Sequence, residues 1–192
     1  MKKQVLMIIL LIGAASYTGL GQLQRGNVLI GADLANINLN LNKGGNFNLA
    51  IQPKAAWFIR DNKAVGGYFN VQLSSAKGAG TTLQYGVGAL GRYYIGDKSM
   101  ELNRHSRFFL EANLGIEGFN PATGDNTNGL GLGIGPGLAY FVTPNIGLEG
   151  LLKYGAIVGF GSASTTNNLS FQFGFNVYLP RHTLKEVVQD VK

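Results

Sequence analysis

Three groups of residues in this chain have the types and spacing to do chemistry. The first is a pair of isolated histidines, His105 and His182, the only two in the sequence. An imidazole can act as a general base or hold a metal ion, but it needs a nucleophile, a carboxylate or further ligands beside it. Neither histidine has such neighbours in sequence. The second is "GVGALG" at residues 86–91, which formally matches a dinucleotide-binding fingerprint. That motif works only between a strand and a helix. Here Tyr85 precedes it and "RYYI" follows it within one alternating segment, so its glycines are read as inward space-makers. The third is a set of charges, Asp33, Lys54, Arg92, Glu111, Glu117, Glu149 and Lys153, each lying in an otherwise apolar or glycine-rich segment. Four acids against three bases nearly cancel, and Arg107 is a further candidate at their rim. Charges brought together in a narrow space must pair and hydrogen-bond, because an unpaired one is costly to desolvate. The expectation is therefore an ion-pair network, with no catalytic residue, no cofactor site and no metal site. The absence of cysteine excludes disulfides and thiol chemistry.

The elements that position these charges are strands. Residues 168–180 read "NLSFQFGFNVYLP": Leu169, Phe171, Phe173, Phe175, Val177 and Leu179 share one phase, and Ser170, Gln172, Gly174, Asn176 and Tyr178 share the other. Alternation with period two is the mark of a strand whose faces meet different surroundings. Similar segments recur at 28–41, 47–59, 64–73, 81–95, 108–118, 130–142, 146–160 and 169–179, which predicts eight strands. Turn chemistry separates them: "NKGG", "RDNK", "AKGAG", "GDKSMELNRHS", "NPATGDNTNG", "TPN" and "GSASTTNN". No helical period intervenes, so consecutive strands join as hairpins in an up-and-down sheet. In the first strand the apolar phase of Val28, Ile30, Ala32 and Leu34 switches to that of Ile37, Leu39 and Leu41. Either a bulge near Ala35 and Asn36 or a break into two shorter strands accounts for the switch.

Composition says which way the faces point. Only 14% of the residues are charged and 29 of 192 are glycine, against about 25% and about 7% in soluble domains. The opening "MKKQVLMIILLIGAASYTGLGQ" has the layout of a secretory signal peptide, with a cut expected after Gly21 or alternatively after Ser16. Without Lys2 and Lys3 the formal charge falls from +6 to +4, too mild and scattered to imply a nucleic-acid partner. The division expected is a signal peptide at 1–21, one barrel domain at 22–180 and a periplasmic tail at 181–192. In the tail, Leu184, Val187, Val188 and Val191 recur at helical spacing, compatible with a short amphipathic helix or a frayed end.

The larger apolar phase carries, among others, Trp57, Ile59, Phe69, Val87, Tyr93, Leu114, Ile134, Tyr140, Leu152 and Phe160. An eight-stranded barrel encloses room for modest side chains only, so this face is expected outside, against lipid. Trp57, Tyr93, Tyr140 and Phe160 fall near strand ends, where an aromatic girdle belongs. The opposite phase holds the seven charges and a bare row of glycines at 129, 131, 133, 135 and 137. These features predict an all-β, eight-stranded antiparallel transmembrane β-barrel in the outer membrane.

The chain resembles the small outer-membrane β-barrel proteins of Gram-negative bacteria, the porin-like "outer membrane protein beta-barrel domain" family common in the Bacteroidetes. The resemblance rests on "RGNVLIGADL", "IQPKAAWFIRDNKAVGGYFNV", "GLAYFVTPNIGLEG" and "FQFGFNVYLP". It implies assembly by the barrel insertion machinery, guided by the last strand, although here "RHTLKEVVQDVK" follows that strand. Outer-membrane lipids and lipopolysaccharide are the partners expected, around a monomer. Some barrels of this kind are lipid A deacylases or acyltransferases with a histidine near the outer leaflet. His105, in a turn on the periplasmic side, and His182, in the tail, are misplaced for that role. A structural or surface-interaction role with a lumen closed by ion pairs is the leading expectation, and a narrow channel for small solutes is the alternative.

Overall fold

The structure, a computed structural model, describes residues 21–39, 46–76, 78, 80–95, 105–160 and 165–181. The expected signal peptide, apart from Gly21, and the tail beyond Arg181, His182 included, lie outside the described residues. A short 3-10 turn, Gly21–Leu23, precedes eight strands: β1 Val28–Leu39, β2 Asn46–Arg60, β3 Lys63–Ala76, β4 Gly80–Tyr94, β5 Ser106–Asn120, β6 Thr127–Thr143, β7 Ile146–Gly159 and β8 Thr166–Leu179. Each pairs antiparallel with its sequence neighbours, and β8 returns to β1 to close the barrel. Closure leaves no free sheet edge, the condition for a sheet in a medium without water.

The phase switch in β1 is a bulge. Its register with β2 shifts between Ala35 and Asn38, where three steps on β1 oppose two on β2, from Ala50 to Asn48. Two strand prolines sit where the ladder is one-sided. Pro53 pairs with Ala32 on β1, but the β2–β3 ladder passes from Ile51 to Lys54; Pro136 pairs with Leu110, but the β6–β7 ladder passes from Ile134 to Gly137. Proline has no N–H to donate, so a gap on one flank costs little. At the tight β2–β3 turn, Asn62 takes φ 62°, a left-handed conformation that asparagine tolerates better than most residues.

Alternation sorts the faces as expected. Ile51, Trp57, Phe69, Val87, Leu114, Ile134, Leu152, Phe171 and Phe173 are exposed on the outside, and the seven charges are buried inside. Among the described residues of strands β2–β8 the only exposed charged ones are Arg60 and Lys63, paired across one turn. Soluble monomers rarely expose a contiguous apolar wall of this kind.

The interior has two unlike ends. Near the termini it is apolar: Phe58, Tyr94, Phe109, Phe141 and Tyr178 are buried together with Leu29, Leu90 and Leu23. Ring centroids lie 5.9 Å apart for Phe58 and Tyr94, 5.6 Å for Tyr94 and Phe109, and 5.1 Å for Phe141 and Tyr178, spacings at which aromatic pairs attract. The chain before β1 seals this end. Leu23 is buried among the rings, its carbonyl accepts from Asn62 N at 2.8 Å, and Gly26 N donates to Phe58 O at 2.8 Å.

The glycine row of β6 makes room for what points inward. A Cβ at Gly137 would strike the Phe109 ring, whereas one at outward-facing Gly91 would meet nothing within 4 Å. Gly137→Ala is therefore expected to destabilise the barrel by about 1–3 kcal/mol through overpacking, and Gly91→Ala to leave it unchanged. Urea unfolding of the refolded protein in detergent, followed by Trp57 fluorescence, checks the difference.

Candidate functional site

The inward charges lie midway along the lumen, above the aromatic end. Arg92 on β4 stands directly opposite Glu111 on β5 in the ladder. Its Nε and Nη2 both donate to Glu111 Oε2, at 3.0 and 2.5 Å, and its Nη1 crosses the lumen to Glu149 Oε2 on β7 at 2.7 Å. Lys54 on β2 donates to Asp33 Oδ2 on β1 at 2.6 Å and reaches Glu111 Oε2 at 3.4 Å. Asp33, Lys54, Glu111, Arg92 and Glu149 thus form one alternating chain of charge across the barrel, every member buried. Shared carboxylates and a forked guanidinium suit such a chain, since Lys54, Glu111 and Arg92 inside it are then each bonded more than once.

Two of the seven predicted charges stand apart from it. Glu117 accepts from the Tyr68 hydroxyl at 2.8 Å, and Lys153 donates to Gln52 Oε1 at 3.2 Å with its Nζ 5.5 Å from the Tyr68 ring centroid. Their partners are neutral because both project toward the loop end, one layer above the ion pairs. Arg107 is buried and donates from Nη1 to Ser106 O at 2.6 Å.

Tyrosines complete the network, and the sequence reading passed over them. Tyr94 OH accepts from Arg92 Nη1 at 3.0 Å and lies 2.8 Å from Tyr178 OH, which donates to Glu149 Oε1 at 2.6 Å. The guanidinium carbon of Arg92 also sits 4.1 Å from the Phe109 ring centroid, within cation–π range. Each tyrosine turns its ring to the apolar end and its hydroxyl to the charges, joining the two layers. Their strand phase already matched that of Arg92 and Asn176.

Above the charges, toward the loops, a polar cavity of about 430 Å³ opens between Asp33, Gln52, Asn70, Asn113, Glu117, Lys153 and Gln172. Missing side chains shape its wall. A Cβ at Gly131 would collide with Glu117, one at Gly133 with Asn113 and Lys153, and one at Gly86 with Asn70 and Glu117. In the 86–91 motif, Gly86 and Gly88 do make inward space. Gly91 does not: it is on the outward phase of β4, with nothing near its would-be Cβ.

The remaining candidates lie elsewhere. His105 is exposed in the turn before β5, its ring centroid 6.5 Å from that of Tyr140. Among the described residues no cluster of three or more metal-ligating side chains occurs. Trp57, Tyr93 and Tyr140 are exposed on the outer wall near the terminus end, and Phe160 stands at the opposite end, just past β7. Lys63 places its Nζ 5.4 Å from the Tyr93 ring centroid, as an interfacial belt of aromatics and cations would.

No protein-family model matches the chain, and a comparison with curated proteins finds no match. Solved structures do resemble it. The barrel is similar to that of neisserial surface protein A. That likeness has a TM-score of 0.53 at 20% identity and covers 80% of this chain and 96% of the other; it supports the fold and nothing finer. The outer membrane protein Ail of Yersinia pestis aligns at a TM-score of 0.48 and 14% identity over 80% of this chain and 97% of its own, and the outer membrane enzyme PagL at 0.44 and 15% over 78% and 98%.

Arg92 is the hinge of the charge chain, so its removal leaves Glu149 without its cation and Glu111 with Lys54 alone, at 3.4 Å. Arg92→Met is expected to cost about 3–5 kcal/mol, the penalty for breaking a buried pair from one side. Adding Glu149→Gln should recover part of that loss. Urea midpoints of the three proteins refolded in detergent measure both effects.

Proposed function

We propose that the chain is an integral outer-membrane β-barrel protein with a closed lumen and a structural or surface-interaction role, without catalytic activity. The observation that carries this reading is the stacking inside the barrel. The ion-pair chain from Asp33 to Glu149 lies across the middle, and the rings of Phe58, Tyr94, Phe109, Phe141 and Tyr178 fill the end beneath it, with Leu23 as stopper. A solute would have to displace both a paired charge layer and an apolar layer, and neither leaves a wet path.

The apolar outer wall, nearly free of charge, supports placement in lipid. An N-terminal signal peptide would bring the chain across the inner membrane, with the termini and the β2–β3, β4–β5 and β6–β7 turns on the periplasmic side. The segments near residues 43, 78, 124 and 164 would then face outward. The partners that follow are outer-membrane lipids and lipopolysaccharide around a monomer, and the barrel insertion machinery during assembly. Against catalysis stands the position of His105, exposed in a turn at the terminus end, away from the charges and the cavity.

Reconstitution in a planar bilayer is the test. The mature chain is expected to give no discrete openings, while a variant with Tyr94 and Tyr178 both changed to alanine should leak. Regular openings in the unaltered chain would sink the closed-lumen reading in favour of a narrow channel. Failure of the chain to sediment with the outer membrane of a Gram-negative host would sink the location.

A further inference from the structure

The cavity above the ion pairs has more hydrogen-bonding capacity than its own residues use. Gln52 and Asn113 are each only 6% exposed, yet Gln52 Nε2 and Asn113 Oδ1 have no hydrogen-bond partner among the described residues. Asn70 Oδ1 and Gln172 Oε1, buried in the same wall, also have none. The Lys153 ammonium holds Gln52 by its Oε1, which leaves the amide nitrogen without a partner among the described residues. Buried amides are ordinarily satisfied. The side chains of all four line one space of about 430 Å³, each with one polar atom closed off beneath the wall, and the volume lies within the range of about 300–1,000 Å³ typical of small-molecule sites.

Charge and donor type narrow the class. Asp33 is neutralised by Lys54, and of the charges that line the cavity above it Glu117 and Lys153 oppose one another in sign. The seven inward charges, four acids and three bases, sum to −1, and those that line the cavity are paired or opposed, so no strong field of either sign selects an ion. Each of the amide side chains that line it carries both kinds of group, N–H and carbonyl. A hydroxyl both donates and accepts, so a ligand bearing several hydroxyls on a short frame meets these amides whichever partner each one offers.

We infer that the loop-end cavity is a binding site for a neutral polyhydroxyl group, the chemistry of an uncharged sugar unit. Gln52, Asn70, Asn113 and Gln172 supply its hydrogen bonds, and the paired charges form its floor. The site deepens the surface-interaction role proposed above and rests on that reading only for the side of the membrane its mouth faces. The same unit could arrive as a free sugar or as the end of a glycan chain, and the two are separable by size.

The experiment uses the refolded mature chain in an amine-oxide detergent, whose headgroup carries no sugar, and follows the side-chain amide resonances of asparagine and glutamine by NMR. Maltose is expected to shift those of Gln52, Asn70, Asn113 and Gln172 saturably. Galacturonate and glucosamine should bind at least about ten-fold more weakly, because a charged group would have to be desolvated without a partner. Asn113→Leu, and separately the half-buried Gln172→Leu at the mouth, should each weaken maltose binding by about ten-fold or more, with far-UV circular dichroism confirming that each variant folds. A long linear maltodextrin that binds as well as maltose supports the site and assigns it to chain ends; maltose binding alone supports it for free sugar. Absence of any saturable shift with neutral sugars would mean that water alone satisfies the amides and would overturn the inference, as would tighter binding of the charged sugars. A barrel that conducts ions yet binds maltose would sink the closed-lumen reading and leave this site standing.

Discussion

Eight strands set the width of the lumen, and the packing inside answers to that width. The space admits side chains but not two full layers of large ones. The chain meets the limit by alternating long inward residues with none at all. Phe109 lies where Gly137 has no Cβ, Glu117 where Gly131 has none, and Asn113 and Lys153 share the gap left by Gly133. Glycine here is the complement of a neighbour's bulk. The outer wall needs no such economy, since Trp57, Phe171 and Phe173 are exposed there and have no facing strand to fit.

Within that width the barrel is divided along its axis. Near the termini it is as dry as a soluble core, with Tyr94 and Tyr178 fully buried and ring packed on ring. Midway it holds ions, which tolerate burial because Lys54, Glu111, Arg92 and Glu149 are each bonded from more than one side. Toward the loops it is amide-lined and open. The tyrosine hydroxyls join the first two zones, and Tyr68, bonded to Glu117 and facing Lys153, joins the second to the third. Stability is concentrated at one end and chemical capacity at the other.

Strand parity made much of this legible in the sequence. Side chains alternate strictly, so the phase of Phe171 and Phe173 placed them outside, the phase of Arg92 and Glu111 placed them inside, and the switch in β1 marked the bulge near Ala35. Parity says which face a residue takes but not its height or its partner across the lumen. Those depend on stagger around the closed sheet, which is why Glu117 and Lys153 could be assigned to the interior yet not separated from the ion-pair chain. The inward rings were underweighted for a related reason: large apolar residues had served to identify the outer wall, while Phe58, Phe109 and Phe141 form a small core of their own at one end. The plug before β1 has no period at all, and Leu23 acquires its role only from the ring packing beneath it. Gly91 shows the converse, a glycine inside a tempting motif whose phase turns it outward.

The seam between β1 and β8 has a consequence for how the barrel forms. It joins residues 28–34 to residues 173–179, the two ends of the described barrel, and its ladder is shorter than any other in the sheet. Every other pairing is between sequence neighbours and closes only a short loop, whereas this one must bring the chain ends together at the largest entropic cost. Hairpins can therefore accumulate as an open, growing sheet, with closure as the last and slowest event. Until then both edges present unpaired backbone, and the half-assembled sheet is the species most exposed to wrong partners.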